Sequence, residues 1–205
     1  MWFVVLLIMA LFGFQGLAVL VSREQLSHID EAIIHIIQGR ENSVLTSAAK
    51  IFSVIGSAAV VVPLVLASAA LLAIILKHRK ELLLLLGGVA GSTLLNSVLK
   101  GMYQRARPDI NRIVEEQGYS FPSGHSMAAF TLYFLLTYLL WRHLPTRGAR
   151  TALIAFSAGM ILCIGLSRIY LGVHYPSDIV AGFWISGCWV AICIRLFRQY
   201  GRAGK

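Results

Sequence analysis

Apolar residues run in six blocks, at about 2–21, 51–76, 82–99, 123–141, 151–167 and 177–194, with short charged segments between them. A bilayer core of about 30 Å takes roughly 20 residues of helix, so this pattern predicts an all-α polytopic membrane protein with six transmembrane helices. Several blocks are short for that thickness. Polar residues at their ends are expected to complete the end turns near one interface. Between the first two blocks, Leu26, Ile29, Ile33, Ile36 and Ile37 recur at helical spacing, and Ser22 and Gln25 are placed for a capping box. That stretch predicts an amphipathic helix in the interface, lying over one face of the bundle.

Charge sets the orientation. Lys77, Arg79, Lys80, Arg142, Arg147, Arg150, Arg195, Arg198, Arg202 and Lys205 fall on one side, ten cations against the single acid Glu81. The other side holds Arg23, Arg40, Lys50, Lys100, Arg105, Arg107, Arg112 and Arg168 against Glu24, Asp30, Glu31, Glu41, Asp109, Glu115, Glu116 and Asp178, and so is formally neutral. Positive-inside behaviour then predicts cytoplasmic termini and an extracytoplasmic amphipathic helix. With no basic domain protruding, nucleic acid is not an expected partner, and nothing points to particular protein partners. The first block lacks a basic leader and a small-residue cleavage site, so it reads as a span rather than a signal peptide. Residues 1–205 read as one membrane domain. Cys163, Cys188 and Cys193 lie inside apolar blocks and act as small hydrophobes, not as a disulfide or metal framework.

The chemistry-bearing residues sit at the ends of those blocks, on the outer side. Lys100 closes the third block, and Pro108 biases Arg107 toward extended backbone, so the helix should stop before Arg107 and its guanidinium can turn back over the helix end. Arg105 and Arg112, taken singly, read as ordinary boundary cations. Phe121-Pro122-Ser123-Gly124-His125 opens the fourth block. Pro122 suits a first helical turn, Gly124 permits close approach of a ligand to the backbone, and the helix N-terminus favours an anion. Asp178 follows His174 by four residues, one helical turn, so its carboxylate can fix the imidazole tautomer and leave the other nitrogen's lone pair free. Arg168 offers a forked donor matched to phosphoryl oxygens. Three cations, two imidazoles and a carboxylate describe a phosphate-handling site, and the same cations disfavour a metal ion between the histidines.

Taken together, Lys100 with six residues before Arg107-Pro108, then Pro122-Ser123-Gly124-His125, then Ser167-Arg168 with five residues before His174 and three before Asp178, resemble the three motifs of the phosphatidic acid phosphatase type 2 (PAP2) superfamily. The resemblance implies a bacterial cytoplasmic (inner) membrane lipid phosphatase with six helices and an outward-facing site. It implies His174 as nucleophile, Asp178 orienting it and His125 as general acid and base. Lys100, Arg107, Ser123, Gly124 and Arg168 would hold the phosphoryl oxygens, with no metal or other cofactor. The expected reaction is hydrolysis of a lipid phosphate or diphosphate through a phosphohistidine, with undecaprenyl diphosphate placed first. Phosphatidylglycerophosphate, phosphatidic acid, a lipid phosphotransferase and a non-catalytic transporter or structural membrane protein stand as alternatives. Tyr103, Tyr119, Tyr170 and Tyr175 are expected near the interface or the site entrance.

Overall fold

The computed structural model describes residues 2–75 and 79–203, and these residues form eight α-helices. They are α1 (Trp2–Ser22), α2 (Ser27–Gln38), α3 (Ser43–Ile55), α4 (Ala58–Ala70), α5 (Arg79–Tyr103), α6 (Gly124–Leu140), α7 (Arg147–Tyr170) and α8 (Pro176–Ala203). A π-helical turn, Leu71–Ile75, extends α4, and a short 3₁₀ turn, Trp141–His143, follows α6. Leu76, Lys77 and Lys205, used in the span and charge readings, lie outside the described residues.

Among the described residues, four helices are long and apolar enough to cross a membrane: Trp2–Ser22, Lys80–Tyr103, Arg147–Tyr170 and Pro176–Tyr200. A fifth crossing is available if the pair Ser43–Ile55 and Ala58–Ile74, bent by 50°, counts as one. The second span expected over 51–76 is therefore corrected in its bounds: helix starts eight residues earlier, where the Asn42 side chain accepts from the backbone N–H of Val44 and Leu45, and breaks at Gly56-Ser57. Ser57 is extended (ψ 159°) and turns its hydroxyl onto Val54 O at 2.7 Å, which ends one helix and starts the next. A Cβ on Gly56 would lie 2.5 Å from an Ile164 methyl and 3.4 Å from the His125 ring, so the bend brings this turn directly against α7 and the histidine.

α6 packs against α5, α7 and α8 and forms the centre of the bundle; α1 runs along α8, and α3 along α7. Leu132, Leu135 and Leu139 of α6 meet Val61, Val65, Leu84, Leu85 and Val190 in one core, toward the end away from the motifs. Around the motif end, Phe14, Ala18 and Val21 of α1 close over Phe121, Met127, Ala181 and Ile185. Gly88 and Gly91 make close contacts inside the bundle, with Leu135 and Trp189, and Trp189 Nε1 donates to Gly88 O at 2.8 Å. The outward faces stay apolar: Trp2 is 77% and Phe12 74% exposed. Apolar surface that extensive needs an apolar solvent.

α2 forms where the amphipathic helix was expected and lies over α7 and α8, but two details differ. No capping box starts it: Ser22 is the last residue of α1, and Leu26 precedes α2 without a side-chain cap. The buried residues are Asp30, Ile34 and Gln38, one per turn, while Ile29 and Ile36 face outward. The helix covers a mixed surface: Ile34 packs on Ile169 and Ile179, while Asp30 and Gln38 meet polar groups that need partners, and Gln38 donates to Asn111 O and Tyr170 O at 2.9 and 3.0 Å.

Candidate active site

Four helix ends converge beneath α2: the C-termini of α5 and α7 and the N-termini of α6 and α8. They carry Lys100, Arg168, the Ser123-Gly124-His125 turn and Asp178, and residues 104–123 cross over them and deliver Arg107. All the residues singled out in the sequence thus arrive in one place.

His174 is fully buried. Its Nδ1 lies 3.3 Å from Asp178 Oδ2 and 3.2 Å from the Ser120 hydroxyl, and Ser120 also donates to Asp178 Oδ2. Asp178 Oδ2 accepts from the Tyr175 backbone N–H at 2.9 Å, and Oδ1 accepts from Arg105 at 2.6 Å. The carboxylate is thereby fixed in plane, with a lone pair on Oδ2 for the imidazole Nδ1–H. Nε2 faces the other way, toward Arg107 NH1 at 3.2 Å. Burial dominates the protonation of this ring: helped by Arg107 and Arg168 and opposed by Asp178, it pushes His174 down to about 3. The ring is neutral in ordinary buffers, with its Nε2 lone pair toward the guanidinium.

Arg107 is fastened by Gly118 O, Gln117 O and Val173 O at 2.9–3.0 Å, all in loops rather than at the end of α5. Arg168 is 2% exposed and donates to Ser53 on α3. Its Nε is the one buried side-chain nitrogen or oxygen without a partner among the described residues. Glu116 stands between these groups: its carboxylate pairs with Arg168, lies 3.4 Å from Arg107 and 3.9 Å from His125 Nδ1. The two imidazoles are thus joined through one oxyanion and one guanidinium. Lys100 donates to Tyr119 O at the rim.

Ser123 is fully buried and caps α6, accepting from Ser126 N at 3.4 Å and Ser126 Oγ at 3.1 Å, so its own proton is the donor it has left. Pro122 does not enter the first helical turn; it precedes α6, and its carbonyl accepts from Asn96 at 3.1 Å. A Cβ on Gly124 would meet Asn96 Oδ1 at 2.9 Å, which explains the glycine by close approach. From His125 and Gly124 a cleft of about 290 Å³ runs between α4, α5 and α6, lined deeper in by Val61, Val62, Val89 and Ala128.

A sequence profile of the PAP2 superfamily matches residues 81–202. The chain belongs to the PAP2 superfamily. Within it, the chain is 45% identical over 91 residues to phosphatidylglycerophosphatase B of Bacillus subtilis (strain 168), which covers 44% of this chain and 45% of the relative. It is 34% identical over 128 residues to lipid A 1-phosphatase of Rhizobium etli, covering 57% of this chain and 49% of the relative. The chain spans about half the length of these curated relatives. A solved structure, the transmembrane PAP2 type phosphatidylglycerolphosphate phosphatase from Bacillus subtilis, superposes with a TM-score of 0.87 over 94% of this chain and 96% of that one, at 28% identity. With four to five helices able to cross a bilayer, this PAP2 chain is a membrane protein.

Several PAP2-site residues were not legible beforehand. Arg105, expected as a boundary cation, reaches Asp178 instead and stacks over Tyr175 at 3.9 Å. Burial opposes its charge, but Asp178 and Asp30 outweigh burial and raise its pKa. Ser120, Glu116 and Ser53 carried no motif signal. Of the four tyrosines expected at the entrance, only Tyr119 is exposed; Tyr170 is buried with its hydroxyl 2.9 Å from Thr46, and Tyr103 packs edge-on against Phe121. Among the described residues no group of three or more His, Cys, Asp or Glu side chains is placed to hold a metal ion.

Proposed function

We propose that this protein hydrolyses a membrane lipid phosphate through a phosphohistidine on His174. The observation that carries this reading is the Glu116 carboxylate held by Arg107 and Arg168 beside His125, with Arg168 Nε still lacking an acceptor. A site that holds a carboxylate and has a donor to spare suits an anion with more oxygens, and a phosphoryl group has them.

The residues divide the chemistry as follows. His174 Nε2 forms the bond to phosphorus as the P–O bond to the lipid breaks, and His125 gives its proton to the leaving oxygen. Asp178 holds the Nδ1–H and stabilises the charge on the ring. Arg107, Arg168 and Lys100, with Ser123 and the Gly124 N–H, hold the oxygens of the transferring group in the transition state. Water then attacks phosphorus, the N–P bond breaks, and His125 takes the proton that water loses. Lipid alcohol and inorganic phosphate leave.

The apolar cleft that ends at His125 suits the substrate tail, so the head enters the polar crown while the tail stays among helices. All six apolar blocks are proposed to cross the bilayer as one domain of residues 1–205, with α3 and α4 as a bent span. α6, 17 residues or about 25 Å, is sheltered at the centre where a shorter span suffices. The charge asymmetry supports a bacterial inner-membrane protein with cytoplasmic termini and an extracytoplasmic site. The names of the relatives favour a glycerolipid phosphate such as phosphatidylglycerophosphate over undecaprenyl diphosphate, which the sequence reading had placed first.

The test is release of inorganic phosphate by the detergent-purified protein from phosphatidylglycerophosphate, phosphatidic acid, lipid A and undecaprenyl diphosphate, without added metal. Turnover of at least one substrate, lost in His174→Ala, is expected; near-normal turnover by that variant rejects the nucleophile assignment.

A further inference from the structure

Asp30, one of the eight acids on the outer side, lies outside residues 81–202 that the family profile matches. In the fold it is 2% exposed, on the inner face of α2. Its Oδ2 accepts from Arg105 NH2 at 2.9 Å and from the Ser177 hydroxyl, and its Oδ1 accepts from the Ser177 backbone N–H at 2.9 Å. α8 begins with Pro176, so Ser177 has the first free N–H of that helix, and Asp30 caps it from 147 residues away.

Arg105 bridges two carboxylates. NH2 goes to Asp30, while NH1 goes to Asp178 Oδ1 at 2.6 Å and to the Ser177 hydroxyl at 2.8 Å. The Tyr175 ring supports the guanidinium face at 3.9 Å. Asp178 therefore divides its two oxygens: Oδ2 serves His174, Ser120 and the Tyr175 N–H, and Oδ1 serves Arg105. That division sets the tilt of the carboxylate. Without Asp30, the whole charge of Arg105 would fall on Asp178 and compete with His174 for it, and the first turn of α8 would lose its acceptor.

We propose that Asp30 is a positioning residue for the reaction: through Arg105 and the first turn of α8 it holds the Asp178 carboxylate in the geometry that orients His174. Asp30 meets Ser177 through two buried hydrogen bonds, and the part-buried Arg105 joins it to Asp178 with one bond from each of its two terminal nitrogens. α2 thereby joins the membrane surface to the nucleophile, with Ile29 and Ile36 turned outward and Asp30 turned in. This inference rests on His174 acting as the nucleophile.

A double-mutant cycle tests it. Asp30→Asn preserves size but places an amide where Arg105 and Ser177 need acceptors. The expected result is a fall in kcat of about tenfold or more, with KM and orthovanadate inhibition changed less than about twofold, since the cations of the anion pocket are untouched. In the Asp178→Asn background the same substitution is expected to change kcat by less than about twofold, because the group it positions is already disabled. Equal losses in the two backgrounds, or a single variant with wild-type kcat, overturn the proposal. Thermal unfolding and monodispersity confirm the fold of each variant. If Asp30→Asn does not fold, Arg105→Lys enters the same cycle, keeping the charge but lacking the fork that reaches both carboxylates. His174→Ala separates the two readings: activity in that variant sinks the nucleophile assignment, whereas an inactive His174→Ala beside a normal Asp30→Asn sinks only the role of Asp30.

Discussion

Every oxygen and ring nitrogen of the His174–Asp178 pair has a partner, and the division of labour follows from burial. A carboxylate taken fully out of water must fill its lone pairs, and Ser120, Tyr175 N–H and Arg105 do this alongside the imidazole. Glu116 belongs to the same logic on the other side of the ring: Arg107 and Arg168 are buried cations, and its carboxylate offsets part of their charge. Any phosphoryl group entering the pocket must displace it. Glu116→Gln is therefore expected to tighten orthovanadate inhibition, by about tenfold or ~1.4 kcal/mol. Unchanged or weaker inhibition would show that the carboxylate organises the two arginines rather than competing for them.

Helix ends do most of the positioning. α7, which carries Arg168 near its end, and α8, which carries Asp178 in its first turn, are joined by the five residues 171–175, whose path depends on Gly172 at φ +73°. A Cβ there would lie 2.5 Å from Asn111 O and 3.1 Å from Arg112 Cα, both backbone atoms of the segment that carries Arg107. Gly172→Ala is expected to destabilise the protein by about 1–3 kcal/mol and to lower kcat, since His174 is two residues away. Melting temperature and turnover together check this, and wild-type values for both would show that the loop relaxes freely. At this scale the sequence was informative about α5 through α8, where proline, glycine and charge mark the ends. It was less so about α3 and α4. An apolar run carries no periodic signal when every face is apolar, so the Gly56-Ser57 break was masked, and α2 was read from Leu26, Ile29, Ile33, Ile36 and Ile37, of which Ile29 and Ile36 face outward, whereas the buried line is Asp30, Ile34 and Gln38.

For the molecule as a whole, a neutral buried imidazole makes stability depend on pH. The unfolded chain binds a proton at His174 near pH 6.5, whereas the folded chain holds off until about 3. Between those values the unfolded state carries the extra proton, so stability is full above about pH 6.5 and declines as pH falls toward 3, by on the order of 1 kcal/mol per pH unit from this group. The apparent melting temperature should drop between pH 7 and pH 4.5, and by less in His174→Gln. Equal drops in the two proteins would place the sensitivity elsewhere. Function at this scale comes from the stacking of two solvents: an apolar outer surface and cleft below, and a polar crown of α2 and the residues 104–123 above.

Spacing within one or two helical turns was enough to show which blocks are apolar, which helix ends hold the histidines and the clustered cations, and that His174 and Asp178 meet. The resemblance of the three motifs, in order, grouped Lys100, Arg107, His125 and Arg168 as one set. What surrounds them is a matter of packing: Asp30 against Ser177, Arg105 between two carboxylates, Ser53 against Arg168, and Glu116 among the cations. Asp30 and Ser177 are separated by 147 residues, Ser53 and Arg168 by 115. The physical reason is that a buried polar group takes whichever partner the packing of apolar helices brings within 3 Å, and no local pattern encodes that choice.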